Sequence, residues 1–437
     1  MFGTNRPQPG LVAVAAGLLL AASAGTSATY YVSPVGSDAN TGLSPALSWQ
    51  TIGHAMGKIA QGDTVMLADG TYREMVRFDE VAPGGPPVVL QAINPRRAII
   101  DSERSTYCVG ADWDTPRNVV LDGLLVRNGL MGIGFQPGAI GLTIRNCEIS
   151  GCMEAIRVGS GSGLVISDCV IRGNDNGILI GRKDESGVAG VTIERTVCGD
   201  FTEAGRTGNR DGVAIEGLCT NVAIRDCVAF GAGDSGFDLK PNGTVVERCK
   251  SYGNGQWGIK LWGSGCRIVN TVLFGNQLGG MGCAGNNLTF WNCTFGAGGA
   301  EGLRLETSDS ASCIIRNTIF YNAPVVCKAG GVPNENYNCY YAAGAVITSS
   351  KGSYTTADVT AHTAPLGANS IAKDPLFTNA AAGEFGLLPG GPCIGRGIYD
   401  PLVSVDYRGH PRRDPPDMGA ISTTGVIMDP DAPIQAW

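Results

Sequence analysis

The chain has 437 residues, 16% of them charged, with 65 glycines, 15 cysteines and a formal net charge of −7. That length allows one large domain or a few ordinary ones. The glycines follow no Gly-X-Y period, which excludes collagen, and no basic stripe is present, which argues against nucleic acid as a partner.

The N-terminus reads as an export signal. Arg6 supplies the positive charge, Leu11 to Ala24 form an apolar run, and Ala22-Ser23-Ala24 or Thr26-Ser27-Ala28 fits a small-residue cleavage site. Cleavage is expected after about Ala24 or Ala28, giving a secreted, extracellular chain. The run is too short for a membrane span, and no other segment is longer and as apolar. Four stretches follow: a signal at 1–28, an N-terminal cap with first coils at 29–105, a repeat region at 106–340, and C-terminal coils, cap and tail at 341–437.

Tyr30-Tyr31-Val32-Ser33-Pro34 reads as a strand and turn. Gly36-Ser37-Asp38-Ala39-Asn40 has the composition of a calcium turn or of an ordinary Asp/Asn turn. Ser48 to Ala60 carries Ile52, Met56 and Ile59 at helical spacing, which predicts an amphipathic helix capping a solenoid end.

From there one frame recurs: apolar–x–apolar–x–[Asn/Asp/Arg]–[Cys/Thr]–x–apolar, a polar turn, then Gly–apolar–x–apolar. Its Cys/Thr position falls at 147, 169, 196, 227, 249, 271, 293 and 318, in steps of 22, 27, 31, 22, 22, 22 and 25. Short alternating strands with glycine-rich turns and no intervening helix predict an all-β fold, a parallel β-helix of about ten coils. Equivalent residues then stack at ~4.8 Å. The Cys/Thr column is expected to be an inward ladder of small side chains rather than a series of bonds, with Cys327 and Cys339, off the ladder, as the better disulfide candidates. The period fades after about Tyr340, and Lys373 to Phe377, Asp417 to Ala420 and a tail from Asp429 close the chain.

The winding brings charges together. Gly236-Phe237-Asp238-Leu239 and Gly258-Ile259-Lys260-Leu261 begin 22 residues apart, so Asp238 and Lys260 are neighbours on one outer face. Asp211 and Asp234 converge on the same patch. Three close carboxylates raise one another's pKa unless a cation lies between them, and hard oxygen ligands on turns suit Ca²⁺. An exposed Asp–Lys ion pair is the simpler alternative. A long insertion, Phe201 to Arg210, could wall a cleft over the patch; its Arg206 and Arg210 would then either hold substrate carboxylates or stay solvated. Trp257 and Trp262 flank Lys260 as a sugar-stacking platform. Arg304 lies two coils beyond Lys260 and either binds a substrate carboxylate or pairs with Glu301 or Glu306. Lys240 and Glu216 read as a surface pair.

Asn209-Arg210-Asp211-Gly212, Gly233-Asp234-Ser235-Gly236-Phe237-Asp238-Leu239 and Gly258-Ile259-Lys260-Leu261 resemble the motifs of the family 9 polysaccharide lyases. These are calcium-dependent pectate lyases with a right-handed parallel β-helix. The resemblance implies Asp211, Asp234 and Asp238 as calcium ligands and Lys260 as the base in β-elimination on a uronic-acid polymer, by a monomer. Ser235 stands where the family has a second adjacent aspartate, and Ile259 replaces an aromatic residue. A non-catalytic glycan-binding or cell-envelope β-helix is the rival reading, with a hydrolase behind it. The chain lacks the Gly-His-Gly motif of the β-helix polygalacturonases, and none of its three histidines lies near the patch in sequence.

Overall fold

The computed structural model describes residues 27–79, 85–183, 185–201, 210–363 and 366–423. The expected export signal, Arg206 and the tail from Asp429 lie outside these residues.

Short strands alternate with bends in a fixed cycle. One coil runs Ala139–Arg145, Glu148–Ser150 and Glu154–Val158, and the next begins at Gly161–Ser167. Like strands pair in parallel from coil to coil, building first and third sheets of 13 strands each and a second of 12. The result is a right-handed parallel β-helix of about twelve turns, the hand that parallel crossovers take. The expected ten was low because the early strands Thr64–Leu67, Gly70–Tyr72, Val88–Ala92 and Ala98–Asp101 already wind as coils without carrying the Cys/Thr mark.

The frame has a physical cause at each position. The Asn/Asp/Arg residue makes the corner between first and second sheets: Asn146, Asp168, Asp226, Asn270, Asn292 and Asn317 all take φ between 51 and 56°. Asn and Asp enter this left-handed region more cheaply than other side chains. The next residue, Cys or Thr, turns inward and is buried on every coil. Cys147 and Cys169 each donate Sγ–H to a backbone carbonyl two residues back, at 3.2 Å. All 15 cysteines are free and buried, Cys327 and Cys339 included, so the disulfide expected of that pair is absent. They sit on different sheets, in strands Val325–Cys327 and Cys339–Tyr341.

A buried asparagine ladder supports the bend into the third sheet. Asn254 donates Nδ2–H to Asn276 Oδ1 at 2.8 Å and accepts from the Ala232 N–H at 3.0 Å. Asn254→Ala would orphan these groups. It is expected to cost about 1–3 kcal/mol, read as a lower denaturant midpoint, and an unchanged midpoint would remove the ladder from the list of stabilising features.

Both ends are closed. At the first coil the helix is only Ile52–Met56, shorter than the expected Ser48 to Ala60. Its first N–H groups are taken by Glu74, at 2.9 and 2.7 Å, and Ile52, Ala55 and Met56 face the core. Asp38 is spent on the backbone N–H of Gln50 and Thr51, at 2.8 and 3.0 Å, which is a structural use of that turn. At the last coil the antiparallel hairpin Ala345–Ser349 and Gly352–Thr355 leads into the helix Thr356–Ala361. The remaining chain runs back along the first corner. Asn270, Asn292 and Asn317 donate to the carbonyls of Val405, Asp417 and Ile398 at 2.8, 3.0 and 2.8 Å.

Candidate functional site

The outer face of the third sheet carries the site. In Gly–apolar–x–apolar the glycine lets the strand press against the second sheet: a Cβ on Gly236 would stand 2.0 Å from Ser251 Oγ. The apolar residues fill the core and x faces out. Register pairs Ala214 with Asp238, Asp238 with Lys260, Lys260 with Gly282 and Gly282 with Arg304. The expected neighbourhood of Asp238 and Lys260 therefore holds.

Asp211, Asp234 and Asp238 are all buried. Asp211 Oδ1 accepts the Ser235 N–H at 3.0 Å, and Ser235 Oγ–H donates to Asp234 Oδ1 at 3.0 Å. Lys260 Nζ donates to the same Asp234 oxygen. Asp238 Oδ1 accepts from Trp262 Nε1 at 2.8 Å, and its other oxygen lies 3.9 Å from Lys240 Nζ. Lys240 in turn binds Glu216 at 2.8 and 3.0 Å, the expected surface pair.

Burial dominates the electrostatics. It pushes the Asp211 carboxyl up to about 7, helped by the charges of Asp238 and Asp234 and opposed by Lys260. Burial also raises Asp238, against the lowering influence of Lys240 and Lys260. Three carboxylates, one of which holds a proton near neutrality chiefly through burial, offer hard oxygen donors of the kind that fits Ca²⁺. As arranged here, Lys260 and Trp262 each occupy one carboxylate oxygen. Among the described residues no group of three or more His, Cys, Asp or Glu side chains is placed to hold a metal ion.

The flanking residues divide. Trp262 is half exposed, with its indole fixed on Asp238. Trp257 is buried: its ring fills the space left by Gly279 and Gly282 on the next coil, and the Arg304 guanidinium lies 4.9 Å from its centroid. In this arrangement it shores up Arg304 and offers no open face to a sugar. Arg304 donates Nη2–H to Glu301 at 3.0 Å and lies 3.6 Å from Glu306, so it pairs with both acids. Arg210 borders the patch through its backbone, its carbonyl accepting the Asp234 N–H at 3.0 Å. A further cleft on this face, around Tyr107 and Arg182, was not read from the sequence. Its one signal there is glycine at two successive outward positions, Gly110 and Gly134.

Comparison with known proteins follows the same lines. The sequence model of the family described as Pel9A-like, right handed beta helix region, matches residues 30–266, more than half of the chain. The chain belongs to the Pel9A-like right-handed β-helix family. A broader right-handed β-helix model matches residues 208–358. The pectate lyase Pel9A superposes on this member with a TM-score of 0.58 at 18% identity, over 91% of this chain and 96% of that one. XylC in complex with xylose gives a TM-score of 0.62 at 9% identity, over 90% and 98%. At such identities these likenesses speak for the fold. The uncharacterized protein YwoF of Bacillus subtilis (strain 168) is 25% identical over 197 residues, which is 43% of this chain and 40% of YwoF. The match thus spans less than half of that relative. Among the described residues no helix is long and apolar enough to cross a membrane.

Proposed function

We propose that this Pel9A-like protein is an exported, monomeric, calcium-dependent polysaccharide lyase that cleaves a pectate-like uronic-acid polymer by β-elimination. The observation that carries the reading is the convergence of Lys260 with Asp211, Asp234 and Asp238 on one outer patch of a β-helix of this family. Lys260, as a free amine, takes the C5 proton, which is α to the carboxylate. The electron pair left on C5 forms the double bond to C4, and the bond from C4 to its oxygen breaks; that oxygen keeps the bonding pair, takes a proton from solvent and leaves as a hydroxyl of the departing chain, and the other fragment ends in an unsaturated sugar. Ca²⁺ held by Asp211, Asp234 and Asp238 would supply positive charge to the substrate carboxylate and stabilise the negative charge that develops there. Lys260 must leave Asp234 to act, because its Nζ is held there in a hydrogen bond. Arg304, about 10 Å along the sheet from Lys260, is the candidate to hold a neighbouring uronate, in competition with Glu301 and Glu306. Arg210 is a candidate at the near edge, Arg206 of the same insertion is a further candidate, and the open indole of Trp262 is one for sugar stacking.

Incubation with polygalacturonate and Ca²⁺ should raise ultraviolet absorbance as the unsaturated product forms. Reducing ends without that absorbance would indicate a hydrolase instead. A second reading, a glycan-binding β-helix without chemistry, draws on Ser235 in place of an acid and on the Asp234–Lys260 pair. Binding of the polymer with neither signal would select it.

A further inference from the structure

The third sheet's outer face carries a second polar site, well away from the acid and lysine patch. Strand Tyr107–Ala111 pairs with Met131–Phe135, and both put glycine at the outward position, Gly110 opposite Gly134. A Cβ on Gly134 would stand 3.1 Å from Met131 Sδ and 3.2 Å from Tyr107 Cβ, so the missing side chain makes room for two of the residues that line a cleft there. The cleft measures about 200 Å³, and Tyr107, Met131, Asp112, Gln136 and Arg182 are among the residues that line it.

Its polar groups are poorly spent. Tyr107 is fully buried, yet its hydroxyl finds no hydrogen-bond partner among the described residues. Burial and the Asp112 carboxylate, close to the hydroxyl but outside hydrogen-bond geometry, push its pKa up, so it keeps its proton and remains a donor. Gln136 Nε2–H meets only the thioether of Met131, at 3.3 Å. Arg182 reaches back over Gly159 and gives one N–H to the Gln136 carbonyl at 2.9 Å, with Glu185 3.8 Å away. Asp112 has Arg77 at 3.5 Å. Trp113, next in the chain, stands 73% exposed. A buried hydroxyl left unpaired costs free energy unless something completes it.

We infer that this cleft is a saccharide subsite that takes one pyranose unit of a glycan lying along the third sheet. Tyr107, Gln136 and Arg182 donate to ring hydroxyls, Asp112 accepts from them, and the apolar edges of Met131 and Trp113 meet the sugar's C–H surface. Six strand steps separate Tyr107 from the coil of Lys260, about 29 Å at the strand spacing. Arg157, Leu179 and Ala214 occupy the outward positions between them in register. Only a long chain can touch both sites. The inference rests on reading this face as a glycan groove, and it extends the proposed lyase from a local site to one that selects for chain length.

The test is calorimetric binding of polygalacturonate and of a neutral galactan to the intact protein, to Tyr107→Phe and to Arg182→Ala. Tyr107→Phe removes only an unpaired hydroxyl, so its melting temperature should equal or exceed that of the parent. Each variant should bind at least one of the two polymers about tenfold more weakly, with a smaller loss for a short oligosaccharide. Parental affinity for both polymers in both variants would overturn the subsite. So would a lower melting temperature with unchanged affinity in Tyr107→Phe, since the hydroxyl would then be structural. Turnover without any binding defect in the variants sinks the subsite alone. Cleft-dependent binding by a protein that forms no unsaturated product sinks the lyase alone.

Discussion

Lys260→Ala is expected to lower the rate of unsaturated-product formation by about 10²–10⁴-fold, the range a positioned general base contributes. Circular dichroism should show the fold retained, because Lys260 faces outward from strand Trp257–Leu261 and the core residues Ile259 and Leu261 stay in place. The more telling variant is Lys260→Arg. It keeps a cation against Asp234, but a guanidinium does not give up its proton at any working pH, so it cannot serve as the base. If the lysine merely pairs with Asp234, arginine should restore activity. If it takes the C5 proton, arginine should be as inactive as alanine. An active Lys260→Arg protein would refute the assignment.

Chelation should have an effect of similar size. Removing Ca²⁺ is expected to abolish turnover, with recovery on adding the ion back. It should also change stability in a pH-dependent way. The Asp211 carboxyl sits near 7 in the metal-free fold, above its ordinary 3.8, so the folded chain holds this proton more tightly than the unfolded chain does. The stability this confers is full below the unfolded value and is lost as pH rises through about 7. The chelated protein should therefore be less stable at pH ~8 than at pH ~5, by on the order of a few kcal/mol, and should melt at a lower temperature there. Ca²⁺ should raise the melting temperature chiefly at the higher pH, where it need not compete with the proton. Equal calcium stabilisation at both pH values, or none, would remove Asp211 from the ligand set. Loss of calcium stabilisation in Asp234→Asn would support the shared site.

The sequence by itself determined the winding and, through it, the neighbours at the patch. A corner residue that must enter left-handed backbone leaves an Asn or Asp on most turns and an Arg on two, and the small inward residue after it leaves a Cys or Thr, so the coil boundaries show in one dimension. Parallel pairing then makes residues one period apart adjacent, which is why Asp238 and Lys260 could be matched without coordinates. Where that mark fails, the boundaries blur: the first coils lack it and could not be told apart from the cap within 29–105, and the C-terminal residues that run back along the Asn270, Asn292 and Asn317 corner follow no period.

Only the tertiary structure decided what each outward side chain does. Direction along a strand says that a residue points out; it does not say what space the next coil leaves for it. Trp257 folds down because Gly279 and Gly282 leave a hole one coil on. Tyr107 and Met131 settle against Gly134, and Tyr107 is left with its hydroxyl unpaired. Lys260 meets Asp234, while its register partner Asp238 binds Trp262. Backbone register is periodic and therefore legible; surface side chains settle by local volume and competition for partners, which no period encodes.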